Sequence, residues 1–320
     1  NLLNNLGGAK MAKYILRRVF YMIITLFLIA TATFFLMKTL PGSPISSASK
    51  LSPAQLEIVE AKYGLNDPVP VQYVNYMLNL VQGDLGNSFQ FKNAEVTDLI
   101  LSRIGPSFQI GAQGLIAGVL VGILLGMIAA LKQNTFWDYG STIIAIIGIS
   151  IPSFVFATVL QYWLGVKWGI LPVALWKDGW ASSIMPSIAL AMGPLATASR
   201  FIRTEMVEVL SSDYITLAKS KGANGTEIAF KHALRNALIP LVTVLGPMAA
   251  GLLTGSLVIE QIFAIPGIGE QFVKSINVND YSIIMGTTIF FSVFLIVVIF
   301  IIDLLYGIID PRIRLSGGKN

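Results

Sequence analysis

Six long apolar runs alternate with polar segments along the chain, at residues 19–37, 108–131, 139–164, 184–201, 238–262 and 283–304. A helix needs roughly 20 apolar residues to cross the hydrocarbon core of a bilayer. The pattern therefore predicts an all-α membrane protein with six transmembrane helices. Pro152, Pro186, Pro194 and Pro247 fall inside these runs. They predict bends, because proline removes a backbone donor and crowds the preceding turn. On the second run Gly114, Gly118, Gly122 and Gly126, then Ala130, recur in steps of four. Such residues share one slowly drifting helix face. A face that smooth predicts close helix packing, with a wall for a moving helix or a substrate as the alternative.

The polar interruption between the fourth and fifth runs, about residues 200–238, has its own helical pattern. Runs at 213–221 and 226–238 flank Gly222-Ala-Asn-Gly225. This predicts two short helices joined by a tight turn, a compact knob between spans. Phe230, Leu234 and Leu238, at i, i+4 and i+8, are expected to seat the second helix on the bundle. With the amino terminus inside, inner segments hold 14 of the 22 basic residues and 7 of the 17 acidic ones. Lys and Arg concentrate on the cytoplasmic side of membrane proteins, which places both termini and the knob in the cytoplasm. Residues 41–105 then form a long outer segment. Its runs at 54–63 and 71–81 predict short surface helices that pack on the bundle or meet an external partner. Residues 1–10 differ in pattern from the rest of the chain and are set apart as a leader or appended segment. Residues 11–320 read as one transmembrane domain.

Composition narrows the chemistry. Charged residues are 12% of the chain, about half the usual share in soluble domains. There is no cysteine, and His232 is the single histidine. Disulfides, thiolate nucleophiles and Cys- or His-cluster metal sites are thereby excluded. No phosphate-binding loop of the G-x-x-x-x-G-K-[ST] type occurs, and Gly267-Ile-Gly269 does not continue into a dinucleotide fingerprint. No nucleophile elbow or zincin motif is present either. Asp303 lies near the inner end of the sixth run and Glu260 near the outer end of the fifth, which leaves no proton relay at mid-span. A channel or secondary transporter working alone would need a selectivity ring or a coupled ion site, and neither is visible. An ATP-driven process would need its ATPase on another chain.

The knob reads Ala218-Lys-Ser-Lys-Gly222-Ala-Asn224, followed by His232-Ala-Leu-Arg235-Asn236-Ala-Leu-Ile-Pro240. Elsewhere the chain carries Leu40-Pro-Gly-Ser-Pro44, Gly64-Leu-Asn-Asp-Pro68, Val71-Gln-Tyr73 and Gly83-Asp-Leu-Gly86. Further on come Phe263-Ala-Ile-Pro-Gly-Ile-Gly269, Asn279-Asp-Tyr281 and Asp310-Pro-Arg-Ile-Arg314. In this order, over nearly all of residues 11–314, they resemble the B-type permease subunits of the oligopeptide/dipeptide/nickel branch of binding-protein-dependent ABC importers. Thr216-Leu-Ala218 stands where the general family loop begins Glu-Ala-Ala, and Leu234-Arg235 where it has Leu-Pro. Ser43 and Ser282 replace an expected Asp and Pro.

The resemblance implies a non-catalytic, multi-pass subunit in a bacterial or archaeal cytoplasmic membrane, surrounded by lipid. It would import oligopeptides or dipeptides, with nickel as the alternative cargo. It implies a second homologous permease subunit, two ATP-binding subunits that hold ATP and Mg, and an extracytoplasmic peptide-binding protein. No cofactor in this chain and no nucleic-acid partner are expected. The coupling loop to the ATPases would comprise Tyr214, Thr216, Ala218, Lys219, Lys221, Gly222, Ala223, Asn224, Glu227, His232 and Arg235. Gly222 would permit a sharp turn or a close approach, and Ala218 would keep that face thin. Lys219, Lys221, Lys231 and Arg235 would meet acidic partners or headgroups. His232 would hydrogen-bond within the loop.

Overall fold

The structure, a computed structural model, describes residues 2–39, 45, 52–62, 64–91 and 94–309. The motifs at residues 40–44 and 310–314, and with them Ser43, lie outside the described residues. Those described are mostly helical, with one isolated bridge, Asn87 to Glu95. Five helices are long and apolar enough to cross a membrane, and a bent pair makes six if counted as one span. The helices fall into two compact units, residues 103–270 and the two flanking segments together.

The flanking unit holds α1 (Leu2–Thr39), α2 (Pro53–Lys62), α3 (Val69–Val81), the first turns of α4 (Val96–Leu131), most of α12 (Ile268–Asn277), and α13 (Tyr281–Ile309). Here α1 packs on α13 and α3. Phe34 stacks on Tyr76 and Phe35 on Tyr73, with ring centroids 5.6 and 5.4 Å apart. Two of the sequence motifs meet in this unit. Buried Asp280 accepts hydrogen bonds from the Ser88 hydroxyl at 2.5 Å and from the N–H groups of Phe89 and Gln90, each at 3.3 Å. The loop after Gly83-Asp-Leu-Gly86 is thus tied to the turn before α13, and the buried carboxylate has the partners that burial demands.

The central unit is organised around α7 (Trp180–Leu210). In its most apolar stretch 61% of residues are buried, against 17–39% in the other four long helices. The glycine stripe of α4 explains much of this. A Cβ on Gly118 would stand 2.4 Å from the Ala191 carbonyl oxygen, and one on Gly122 2.4 Å from that of Leu195. Gly114 and Gly126 meet the same helix at Ser187 and Ser199. The stripe is therefore a packing face. Two apolar cores lie along α7. One gathers Ile110, Met185, Leu190, Ile259 and Phe263, and the other Met127, Ala198, Ile202, Met206, Ala237 and Leu241.

Three boundaries differ from the hydropathy reading. The third run is not one continuous helix. It divides into α5 (Phe136–Ser150) and α6 (Ser153–Leu160), the latter continuing to Lys167 in a wider winding, and the two parts meet at 101°. Pro152 disfavours helical geometry at Ile151, which is extended (φ −85°, ψ 120°), and starts the next helix with its own fixed φ. Pro186, Pro194 and Pro247 lie inside helices without interrupting them. Second, α7 runs on to Leu210, past the polar boundary expected near residue 200. Third, the second helix of the knob is no separate element. It begins as α9 (Gly225–Glu227), widens through Ile228–Leu234 and continues as α10 (Arg235–Leu253), with α11 (Leu257–Ile262) after a break.

Candidate functional site

The knob is built from one short helix and two caps. Ser212 is extended and starts α8 (Asp213–Ser220), in which Ile215 alone is buried. The helix ends on a Schellman turn. Ala223 N–H donates to the Ala218 carbonyl at 3.1 Å, and Gly222 N–H to that of Lys219 at 2.9 Å. This closure puts the residue after the C-cap in the left-handed region, and Gly222 has φ +88°. The Ala-x-x-x-Gly step is thus the spacing of the turn, with the first carbonyl acceptor at Ala218. Within this chain nothing lies within 4 Å of a Cβ at Gly222. Its conformation, not a crowded neighbour, demands glycine. Asn224 then caps the next helix, its side chain accepting from Glu227 N–H at 2.8 Å. Lys231 pairs with Glu227 at 3.0 Å.

Between α8 and the wide turn opens a cleft of about 430 Å³, lined by Tyr214, Leu217, Ala218, Lys221, Gly222, Ala223, Glu227 and His232. Seven of the eleven residues expected from sequence therefore share one wall or the other. Thr216 and Lys219 lie elsewhere on α8, Asn224 serves as the cap, and Arg235 stands on the continuing helix. Leu217 was not among the expected residues. Its signal was the spacing Tyr214, Leu217, Ala218, Lys221, which is i, i+3, i+4, i+7 on one face. The Asn236 amide donates to the Tyr214 hydroxyl at 2.7 Å, linking α8 to α10.

Phe230 corrects the expected anchor. It is 57% exposed, while Leu234 and Leu238 do pack on the core. The buried positions are Ile228, Ala229, Ala233, Ala237 and Leu241. Through Ile228–Leu234 the chain turns less per residue than an α-helix. The inward face slips by one position, and Phe230 swings out.

The cleft offers an apolar strip, the Tyr214 hydroxyl, one lysine, one carboxylate and the His232 imidazole. Nothing in it pairs a nucleophile with a base. Among the described residues no group of three His, Cys, Asp or Glu side chains lies together as metal ligands. Two buried polar nodes elsewhere in the unit were not foreseen. Arg203 on α7 grips Asp138 on α5 through two bonds, Nε to Oδ1 at 2.6 Å and Nη2 to Oδ2 at 2.9 Å. Fully buried Glu260 accepts from the Ser107 hydroxyl at 2.8 Å and from the N–H groups of Glu270 and Ser256, at 2.9 and 3.2 Å. A Cβ at Gly267 would stand 2.2 Å from that carboxylate, so Gly267 and its loop close over it. No single sequence pairs residues 65 or 153 positions apart.

A helical chain with several apolar spans and a small capped knob has the form of a membrane component. Residues 122–315 match the family of binding-protein-dependent transport system inner membrane components, and residues 11–108 match its N-terminal membrane component. The chain belongs to that family. It is 48% identical to the dipeptide transport system permease protein DppB of Lactococcus lactis, over 305 residues, 95% of this chain and 100% of the relative. It is 45% identical to the DppB of Bacillus subtilis over 95% of this chain and 99% of that protein. The oligopeptide transport system permease protein OppB of Salmonella typhimurium is 42% identical, over 95% and 100%. Among solved structures, an amino acid ABC transporter crystallised with histidines superposes with a TM-score of 0.52 at 15% identity. That match covers 65% of this chain and 93% of the other, and is a likeness of fold alone.

Proposed function

We propose that this chain is a permease subunit of an ATP-driven importer of dipeptides or oligopeptides. The observation that carries the reading is the 48% identity, over 95% of the chain, to a dipeptide permease. Six spans cross a bacterial or archaeal cytoplasmic membrane, the α5–α6 pair counting as one, and both termini and α8 face the cytoplasm. The excess of basic residues in those segments supports this orientation. The chain is not itself a catalyst and holds no cofactor. Two partner ATP-binding subunits carry ATP and Mg. A second, homologous permease subunit completes the path, and an extracytoplasmic binding protein delivers peptide. The cleft around Tyr214, Leu217, Ala218 and Gly222 receives a segment of an ATP-binding subunit, and the movement of that subunit is passed to the spans.

The test is assembly and coupling. The full chain, co-expressed with the second permease and the ATP-binding subunits, is expected to co-purify with them. In liposomes the complex should hydrolyse ATP faster when binding protein and peptide are added. The reading fails if the chain moves peptide without the ATP-binding subunits, or if stimulated hydrolysis persists after Gly222→Trp.

A further inference from the structure

Toward the α8 end of α7 stand two arginines, Arg200 and Arg203, one turn apart. They line a cleft of about 130 Å³ with Ser199 and Thr204 of α7 and Thr142 and Ala145 of α5. That is room for roughly four waters at about 30 Å³ each. Arg203 is neutralised by buried Asp138, to which Thr142 also donates at 3.4 Å. Arg200 is exposed and, among the described residues, has no hydrogen-bond or ion-pair partner. The cleft therefore carries one uncompensated positive charge, and Ser199 and Thr204 give it hydroxyl donors.

The surroundings of the cleft select its occupant. Ile143, Ile144, Ile146 and Ile147 of α5 are 43–56% exposed and form an apolar face next to Thr142. One turn toward the start of α5, Phe136, Trp137 and Tyr139 are 80, 62 and 59% exposed. Aromatic side chains gather at the headgroup level of a bilayer, and three residues of helix rise only about 4.5 Å. Thr142 then sits just inside that level, where a phosphate ends and acyl chains begin. Guanidinium groups bind phosphate through two parallel hydrogen bonds and are weakly hydrated for a cation. We propose that this cleft binds the phosphodiester headgroup of an anionic phospholipid, with Arg200 as its free cation and the α5 isoleucines against its acyl chains. A soluble phosphate would use the same charge and hydroxyls but not the isoleucines. The carboxylate of a passing peptide would not need the aromatic belt.

The experiment is native mass spectrometry of the full chain in detergent, titrated with phosphatidylglycerol, with phosphatidylcholine and with inorganic phosphate. The wild type should retain phosphatidylglycerol at about tenfold lower concentration than phosphatidylcholine, the scale of one charge-assisted contact. Arg200→Ala should abolish that preference and Arg200→Lys should keep part of it. Because Arg200 is exposed and unpartnered among the described residues, thermal unfolding in lipid-free detergent should be the same for all three proteins. The proposal is overturned if Arg200→Ala keeps the full preference, if the wild type shows none, or if inorganic phosphate or a dipeptide displaces the lipid at equal concentration.

Discussion

Gly118→Ala is the sharpest test of how the central unit is packed. The added methyl would lie 2.4 Å from the Ala191 carbonyl oxygen and 2.9 Å from the Pro194 Cβ. Neither neighbour is a flexible side-chain tip, so relief requires α4 and α7 to part by roughly 1 Å, back to the range of ordinary contact. Overpacking of this kind costs about 1–3 kcal/mol. Alanine also favours a helix over glycine by about 0.8–1.0 kcal/mol, which offsets part of the loss. The net expectation is a destabilisation of about 0–2 kcal/mol. Gly140→Ala is the control, because Gly140 lies inside α5 with nothing within 4 Å of the new methyl. It should gain up to about 1 kcal/mol from propensity alone. Equilibrium unfolding in mixed micelles, followed by tryptophan fluorescence, measures both. If Gly118→Ala matches or exceeds the stability of Gly140→Ala, the stripe is not the close contact described here.

Other expectations rest on single contacts. Gly222→Ala and Gly222→Trp should each lose about 1–2 kcal/mol locally for the left-handed backbone and differ little from each other in the unfolding of the spans, since the space is open. Only the tryptophan should fill the cleft, so pull-down of the ATP-binding subunits and peptide uptake should fall much further for it. Asp138→Asn leaves Arg203 without its charge partner. The loss should be about 2 kcal/mol, below that of a fully enclosed pair because Arg203 is 33% exposed, and a double-mutant cycle with Arg203→Gln should recover most of it. Ser88→Ala removes a hydroxyl donor to buried Asp280 and should cost about 1.5–3 kcal/mol in the same unfolding assay. Phe230→Ser should change stability by less than about 0.5 kcal/mol, whereas an inward-facing phenylalanine would give a loss several times larger.

Much of the fold was legible because hydropathy reports burial in lipid, and here lipid is the solvent. The errors came where a property other than apolarity decides. The third run is apolar throughout, so composition could not divide it; the local backbone rule at Ile151-Pro152 did. The fourth helix was cut short because Arg200, Arg203, Glu205 and Glu208 lower the hydropathy. Yet Ile202 and Met206, spaced i and i+4, remain fully buried and hold the helix together to Leu210. The knob shows both sides. Ala218-x-x-x-Gly222 and Asn224-x-x-Glu227 are local signals of a C-cap and an N-cap, so the turn could be read directly. The phase slip that exposes Phe230 depends on a widened winding that no spacing in the sequence announces. The Asp138–Arg203 and Ser107–Glu260 contacts depend on which helices lie side by side, and a single chain does not state that.

That the knob has no separate second helix changes what it can do mechanically. Two small helices on flexible joints would absorb a push. Here α8 is joined to α7 by only Ser211 and Ser212, is pinned through buried Ile215, and is tied to α10 by Tyr214 and Asn236. The helix leaving the turn at Gly225 runs on to Leu253 without a break. On the proposed reading, a displacement of α8 therefore enters the knob-side ends of two long helices at once. Those helices meet each other through Ala198, Ile202, Ala233, Ala237 and Leu241. Along its other faces α7 bears on glycines of α4 and on the Asp138 clamp of α5. Small residues let such surfaces move as packed bodies with little side-chain rearrangement, while the ion pair keeps α5 in step with α7. On that reading, an importer subunit driven by partner ATPases needs that kind of stiffness between the place where force enters and the spans it must shift.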